Sequence, residues 1–129
     1  MKGGVQVSAI IPCWRCKDTI IRAVESIFQQ SWRPAEVILV DDASMDGTLE
    51  FLKRLPTAYP DGWLKVFASQ RNGGPGAARN IGWENATQPY IAFLDADDSW
   101  HQEKTELQLK WMLDHPEIDF SGSLSARYP

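Results

Sequence analysis

Four short runs rich in β-branched and aromatic residues, VQVSAII (5–11), EVILV (36–40), LKVFA (64–68) and YIAFL (90–94), recur along the chain with helix-length stretches between them. That alternation constrains the fold more than any other feature. Apolar runs of this length, bounded by Pro, Gly, Asp or Ser, read as strands buried on both faces. Between them, Ile20, Ile21, Val24, Ile27 and Phe28 repeat at helical spacing, as do Leu49, Leu52 and Leu55. Asp46 is the expected N-cap of the second helix and Pro56 its expected end. A third helix is expected from about Pro75 to Glu84, with proline in its first turn. A fourth is expected from Gln102 to Asp114, with Leu107 and Trp111 on its apolar face, stopping at His115-Pro116. Strand and helix alternate through residue 115, which predicts right-handed β-α-β crossovers and an α/β fold with a mostly parallel sheet. Ile118–Phe120 is expected to begin a fifth strand.

With 129 residues, 43% of them hydrophobic, the chain has the material for one domain with a real core. Its net charge of -4, with Lys and Arg dispersed, provides no electrostatic footprint for a nucleic-acid backbone, so no nucleic-acid partner is expected. No apolar run approaches the roughly 18 residues of a membrane span, and no signal-peptide core follows Met1-Lys2-Gly3-Gly4. The expected location is the cytoplasm, with peripheral attachment to a membrane left open for a longer protein. Two cysteines with the well-separated His101 and His115 lack zinc-ligand spacing. Without a secretory signal, Asn85-Ala86-Thr87 is a chance match to a glycosylation sequon.

In open α/β sheets, ligands bind beyond the carboxyl ends of the strands, and the polar clusters of this chain fall there. The first strand runs into Pro12-Cys13-Trp14-Arg15, the second into Asp41-Asp42, the third into SQRNGG (69–74) and the fourth into Asp95-Ala96-Asp97-Asp98. The last of these, in FLDADD, crowds three carboxylates together. Two unit charges about 4 Å apart repel by about 4 kcal/mol at an effective dielectric near 20, so such a cluster calls for a cation. Strand alternation would aim Asp95 and Asp97 the same way, one toward a ligand hydroxyl and the other toward a hard divalent ion, Mg²⁺ or Mn²⁺. The competing reading makes Asp98 or Ser99 a cap of the fourth helix. DASMDG (42–47) imitates the start of a calcium loop but has Lys53 where the bidentate Glu belongs. Of Asp41 and Asp42, one is expected to present an acceptor to the ligand and the other to tie the turn, with turn chemistry alone as the alternative. NGGPGAARN (72–80) is a flexible turn feeding a helix N-terminus, which favours anions but lacks a P-loop's Gly-Lys-Ser/Thr. Arg79 in this segment is expected to reach either a phosphate or one of the aspartates.

Taken together, these segments resemble the family 2 glycosyltransferases, enzymes of the GT-A nucleotide-sugar fold, over nearly the whole chain from about Val7 to Phe120. IIPCWRC is similar to that family's first-strand motif, VDDASMDGT to V-D-D-G-S-x-D-x-T, NGGPGAARNIG to N-x-G-x-x-x-A-R-N-x-G, and FLDADD to the L-D-x-D-D form of the DxD motif. The resemblance implies a three-layer α/β/α domain, Rossmann-like, with sheet order 3-2-1-4 and one continuous crevice along the rim. It implies that Asp42 accepts from the base, commonly uracil, with Pro12 and Trp14 as the base wall. It also implies that Asp95 meets the ribose, that Asp97 holds Mn²⁺ or Mg²⁺ on the diphosphate, and that Arg71 or Arg79 assists. The expected partner is a nucleotide-diphosphate sugar, with a glycan or lipid-linked acceptor undefined. The chain departs from the pattern at Arg15, where Asn is usual, and at Ala43, where Gly is usual. Residues 1–129 are then expected to be the nucleotide-sugar-binding domain of a truncated glycosyltransferase, as in polysaccharide or glycan biosynthesis, whose acceptor half and general base lie downstream.

Three alternatives compete. Cys13-Trp14-Arg15-Cys16 has the spacing of a thiol redox site, although that reading leaves the carboxylate clusters unexplained. FLDADDS loosely fits a haloacid dehalogenase motif, with too little chain after it to supply the partner residues. A non-catalytic nucleotide-binding module serving a partner chain is the third.

Overall fold

The computed structural model describes residues 4–122. Its strands are β1 (Val5–Cys13), β2 (Pro34–Asp41), β3 (Leu64–Ala68) and β4 (Tyr90–Phe93); its helices are α1 (Ile20–Phe28), α2 (Thr48–Arg54), α3 (Gly74–Asn85) and α4 (Lys104–Asp114). All four strands pair in parallel in the order β3-β2-β1-β4. Ile10 lies opposite both Ile38 of β2 and Phe93 of β4.

Side-chain alternation along the central strands explains why their sequences are almost wholly apolar. On one face Ala9, Ile11, Val37 and Leu39 pack against Ile20, Ala23, Val24 and Ile27 of α1 and Leu52 of α2. On the other, Ile10, Ile38 and Val40 pack against Ala78 and Ile81 of α3. The sheet is therefore the middle of three layers. Leu109 of α4 adds a smaller cluster with Val5 and Val7 near the start of β1. Leu107, Trp111 and Leu113 of the same helix stay exposed.

Several boundaries differ from expectation for local reasons. α2 stops at Arg54, just before Pro56 as expected, but the chain continues into a 3-10 turn (Leu55–Ala58) that takes the proline in its first turn, where no N–H is required. Gly47, not Asp46, occupies the N-cap of α2, while the Asp46 carboxylate accepts from the Thr48 N–H at 3.0 Å. No strand forms at Ile118–Phe120: no strand pairs with it and Phe120 is exposed. α4 starts at Lys104, so Asp98 and Ser99 lie too far upstream to cap it. No helix among the described residues is long and apolar enough to cross a membrane.

Candidate functional site

The strand register brings four loops to one rim. β1 reaches Cys13, farther than its apolar run suggests, placing Pro12 opposite Val40 and Cys13 opposite Asp41. β4 leaves the ladder at Phe93, with one further bond from Leu94 N–H to the Ile10 carbonyl. The missing N–H of Pro12 faces the side that β4 has vacated, so a proline is tolerated in the central strand. Between β1 and the turn after β4 the sheet opens into a cavity of ≈ 680 Å³. Pro12 to Cys16, Asp42, Arg79, Asp95 and Asp97 contribute to its lining.

The two acids at the end of β2 have different duties. Asp41 is buried; its carboxylate accepts from the Ser44 hydroxyl at 2.5 Å and the Ser44 N–H at 3.3 Å. The Ser44 hydroxyl in turn accepts from the Arg15 N–H at 2.8 Å, so Asp41 ties the turn after β2 to the turn after β1. Asp42 is buried too but reaches the cavity, and its carboxylate oxygens accept from Gly73 N–H and Gly74 N–H, each at 2.9 Å. Asn72 donates to the Asp42 carbonyl at 3.2 Å. Gly74 has φ 86, a backbone state that glycine enters without strain, and Pro75 follows it into α3. Asp42 thus anchors the glycine loop, and each oxygen keeps a lone pair for a further donor.

Beyond β4, Asp95 to Asp98 form a turn closed by Asp98 N–H donating to the Asp95 carbonyl at 3.0 Å. Because β4 has ended, the alternation of a strand does not govern Asp95 and Asp97. The turn gathers their carboxylates instead. Asp95, Asp97 and Asp98 can each offer an oxygen so that all three lie within 4.8 Å, and all are exposed. Hard oxygen donors in an open turn suit Mg²⁺ or Mn²⁺, which keep several waters and phosphate oxygens as ligands. Arg79, on α3, pairs with Asp95 at 3.0 Å. Arg22 of α1, which sequence reasoning passed over, donates to the Asp97 carbonyl at 2.5 Å.

Trp14 is half exposed at the cavity, with the Arg15 guanidinium 4.6 Å from its ring centroid. Arg71 is exposed and does not line the cavity. Cys13 and Cys16 are buried in the wall and not joined as a disulfide. Hydrogen bonding with Cys16 and then burial push the Cys13 thiol well above its ordinary range, whereas the same contact lowers that of Cys16. Cys13 therefore stays a protonated wall residue near neutral pH.

A family model described as Glycosyl transferase family 2 matches residues 8–128. Among curated proteins, the chain is 36% identical over 106 residues to the UDP-Glc:alpha-D-GlcNAc-diphosphoundecaprenol beta-1,3-glucosyltransferase WfaP of Escherichia coli, covering 82% of this chain and 41% of that one. Among solved structures, S. aureus TarS 1-349 in complex with UDP-GlcNAc superposes with TM-score 0.75 at 28% identity, over 87% of this chain and 32% of that one. The mannosyltransferase PcManGT of Pyrobaculum calidifontis, in complex with GDP-Man and Mn2+, superposes with TM-score 0.76 at 27% identity, over 83% and 32%. The chain spans less than half the length of the curated relatives it matches, 17% and 42% for two of them.

Proposed function

Because the chain belongs to glycosyl transferase family 2, we propose that it binds a nucleotide-diphosphate sugar, most simply a UDP-sugar, as the donor half of a metal-dependent transfer to an acceptor hydroxyl. One observation carries this reading: Pro12, Trp14 and Asp42 line the same cavity as Asp95 and Asp97. The order β2-β1-β4 sets Asp42 and the acid turn on either side of the β1 rim, a separation that suits a base at one end and a diphosphate at the other. In this reading Trp14 and Pro12 wall the base, Asp42 accepts from it with its remaining lone pairs, and Asp95 meets the ribose. Asp97 holds Mn²⁺ or Mg²⁺, and Arg79 steadies Asp95. Arg71, exposed beyond the cavity lining, joins only by closing over a bound nucleotide.

A bound divalent ion would supply charge stabilisation for the departing diphosphate. The described residues do the rest of the donor's work: the Asp42-anchored glycine loop presents backbone close to the ligand, and the acid turn supplies oxygen ligands. We assign no general base among them. The UDP-GlcNAc and GDP-Man complexes of the two similar structures support a nucleotide-sugar donor, and the Mn2+ of the second supports a divalent ion. A lipid-linked glycan acceptor, of the kind named for WfaP, is the acceptor class to test first.

Titration calorimetry against UDP, GDP, CDP and ADP, each with Mn²⁺ and with EDTA, tests the reading. Tight binding of UDP that weakens in EDTA is expected; indifference to all four nucleotides would sink it. Release of free sugar from UDP-sugars by the same chain would separate a catalyst from a binding module.

A further inference from the structure

The acid turn does not stand alone on its loop. Arg22, Ser26 and Gln30 follow one another at intervals of four, a spacing that lines up a single stripe along α1 and the residues just past its end. Each tooth of that stripe bonds to the backbone of the segment after β4. Arg22 donates to the Asp97 carbonyl at 2.5 Å. The Ser26 hydroxyl accepts from the Trp100 N–H at 3.0 Å. Gln30 donates from Nε2 to the His101 carbonyl at 2.6 Å and accepts at Oε1 from the Thr105 N–H at 2.9 Å. Ser31 N–H adds a bond to the Gln102 carbonyl at 2.9 Å. Residues 97–105 contain little regular structure of their own before α4. Their path is therefore set largely by these side chains.

The stripe has a deep end and an open end. Gln30 is buried, and its bonds hold the start of α4, whereas Arg22 is exposed and grips Asp97, a residue of the cavity lining. Asp97 cannot be held by regular pairing, since β4 ends at Phe93. The turn has one internal backbone bond, Asp98 to Asp95. Gripping a carbonyl rather than a carboxylate has a chemical advantage: the cation fixes the backbone and leaves both Asp97 oxygens for a metal.

We infer that Arg22 is a positioning residue for the acid turn, clamping the Asp97 backbone from α1 so that the Asp97 carboxylate stays aimed into the nucleotide cavity. The inference rests on the metal-and-diphosphate reading above and deepens it. Loss of the clamp leaves the ligand atoms in place chemically but free to wander, so the deficit falls on metal affinity. Partners of this kind typically alter metal affinity by about 10–100-fold. A guanidinium also differs from an ammonium, whose single charged nitrogen reaches the carbonyl less rigidly.

The test compares the parent chain with Arg22→Ala and Arg22→Lys. In Arg22→Ala the Mn²⁺ affinity of the UDP complex, followed by electron paramagnetic resonance, is expected to fall roughly tenfold. UDP affinity in EDTA and the melting temperature of the free protein are expected to hold, with Arg22→Lys intermediate. In parallel, hydrogen exchange of the Asp98 amide, read without metal or nucleotide, is expected to quicken in Arg22→Ala and to be partly restored in Arg22→Lys. Unchanged Mn²⁺ affinity, or equal losses with and without metal, would overturn the positioning role. So would an unaltered Asp98 exchange rate. If the parent binds neither UDP nor Mn²⁺, the donor-site reading falls, while the exchange measurement still decides whether Arg22 clamps the turn.

Discussion

At the scale of single residues, the two departures from the family pattern share a backbone constraint, although Arg15 also lines the cavity. Arg15 and Ala43 both have left-handed backbone, with φ 51 and 57. The residues usual there, Asn and Gly, are the ones that tolerate that conformation. Turn geometry explains why Asn and Gly are usual at these positions, and this chain holds the same backbone with residues that favour it less. Ala43→Gly should therefore stabilise the fold by roughly 0.5–1 kcal/mol, relief of strain less the added freedom of the unfolded chain, with UDP affinity unchanged; thermal denaturation and calorimetry check the two halves. Glu36 is the opposite case, a buried acid that sequence reading treated as an ordinary strand residue. Burial alone would raise its pKa, but bonds from Lys65, Ser8 and Thr87 outweigh burial and hold it at about 2. Its stabilisation is complete above the ordinary value of 4.5 and drains away as pH falls from there through about 2. Glu36→Gln turns an amide toward the Lys65 ammonium and should cost about 2 kcal/mol at neutral pH. Melting temperatures of parent and variant should then converge as the pH is lowered toward 2.

At the scale of elements, strand and helix order was legible because burial on both faces of β1 and β2 demands continuous apolar runs. The edge strands β3 and β4, expected to be buried too, are only partly covered because each has a neighbour on one side alone. Termini were less so. The start of α4 and the 3-10 turn over Pro56 depend on what the chain packs against, and the carboxylates of Asp95 and Asp97 meet through a turn that the strand rule did not foresee. Arg22 escaped notice because its partner is a carbonyl 75 positions away. α3 offers a sharper test of packing against propensity. A Cβ on Gly82 would lie 2.5 Å from Cγ2 of Ile10, which is fully buried, whereas one on Gly76 meets nothing within 4 Å. Helix propensity alone favours alanine at both by roughly 0.5–1 kcal/mol. Gly76→Ala should gain about that much, and Gly82→Ala should lose about 1–3 kcal/mol to overpacking; opposite shifts in urea midpoint are the expected readout.

Across the whole molecule, nucleotide, metal and fold should answer to one another. A ligand that binds only the folded chain adds about 2.7 kcal/mol at a hundred times its dissociation constant. UDP with Mn²⁺ should therefore raise the melting temperature of the parent, and EDTA should remove most of the rise. In Asp97→Ala the metal-dependent part should vanish, while the melting temperature of the free chain holds, since Asp97 is exposed. Differential scanning fluorimetry distinguishes these outcomes. The sheet order carries a further consequence. Val7 pairs with Tyr90, so β1 cannot acquire its second neighbour until the chain through β4 has been synthesised and brought back to it. Closing so long a loop slows the search for the native state, and a ribosome-bound intermediate holding β1, β2 and β3 would wait with one flank of β1 unpaired.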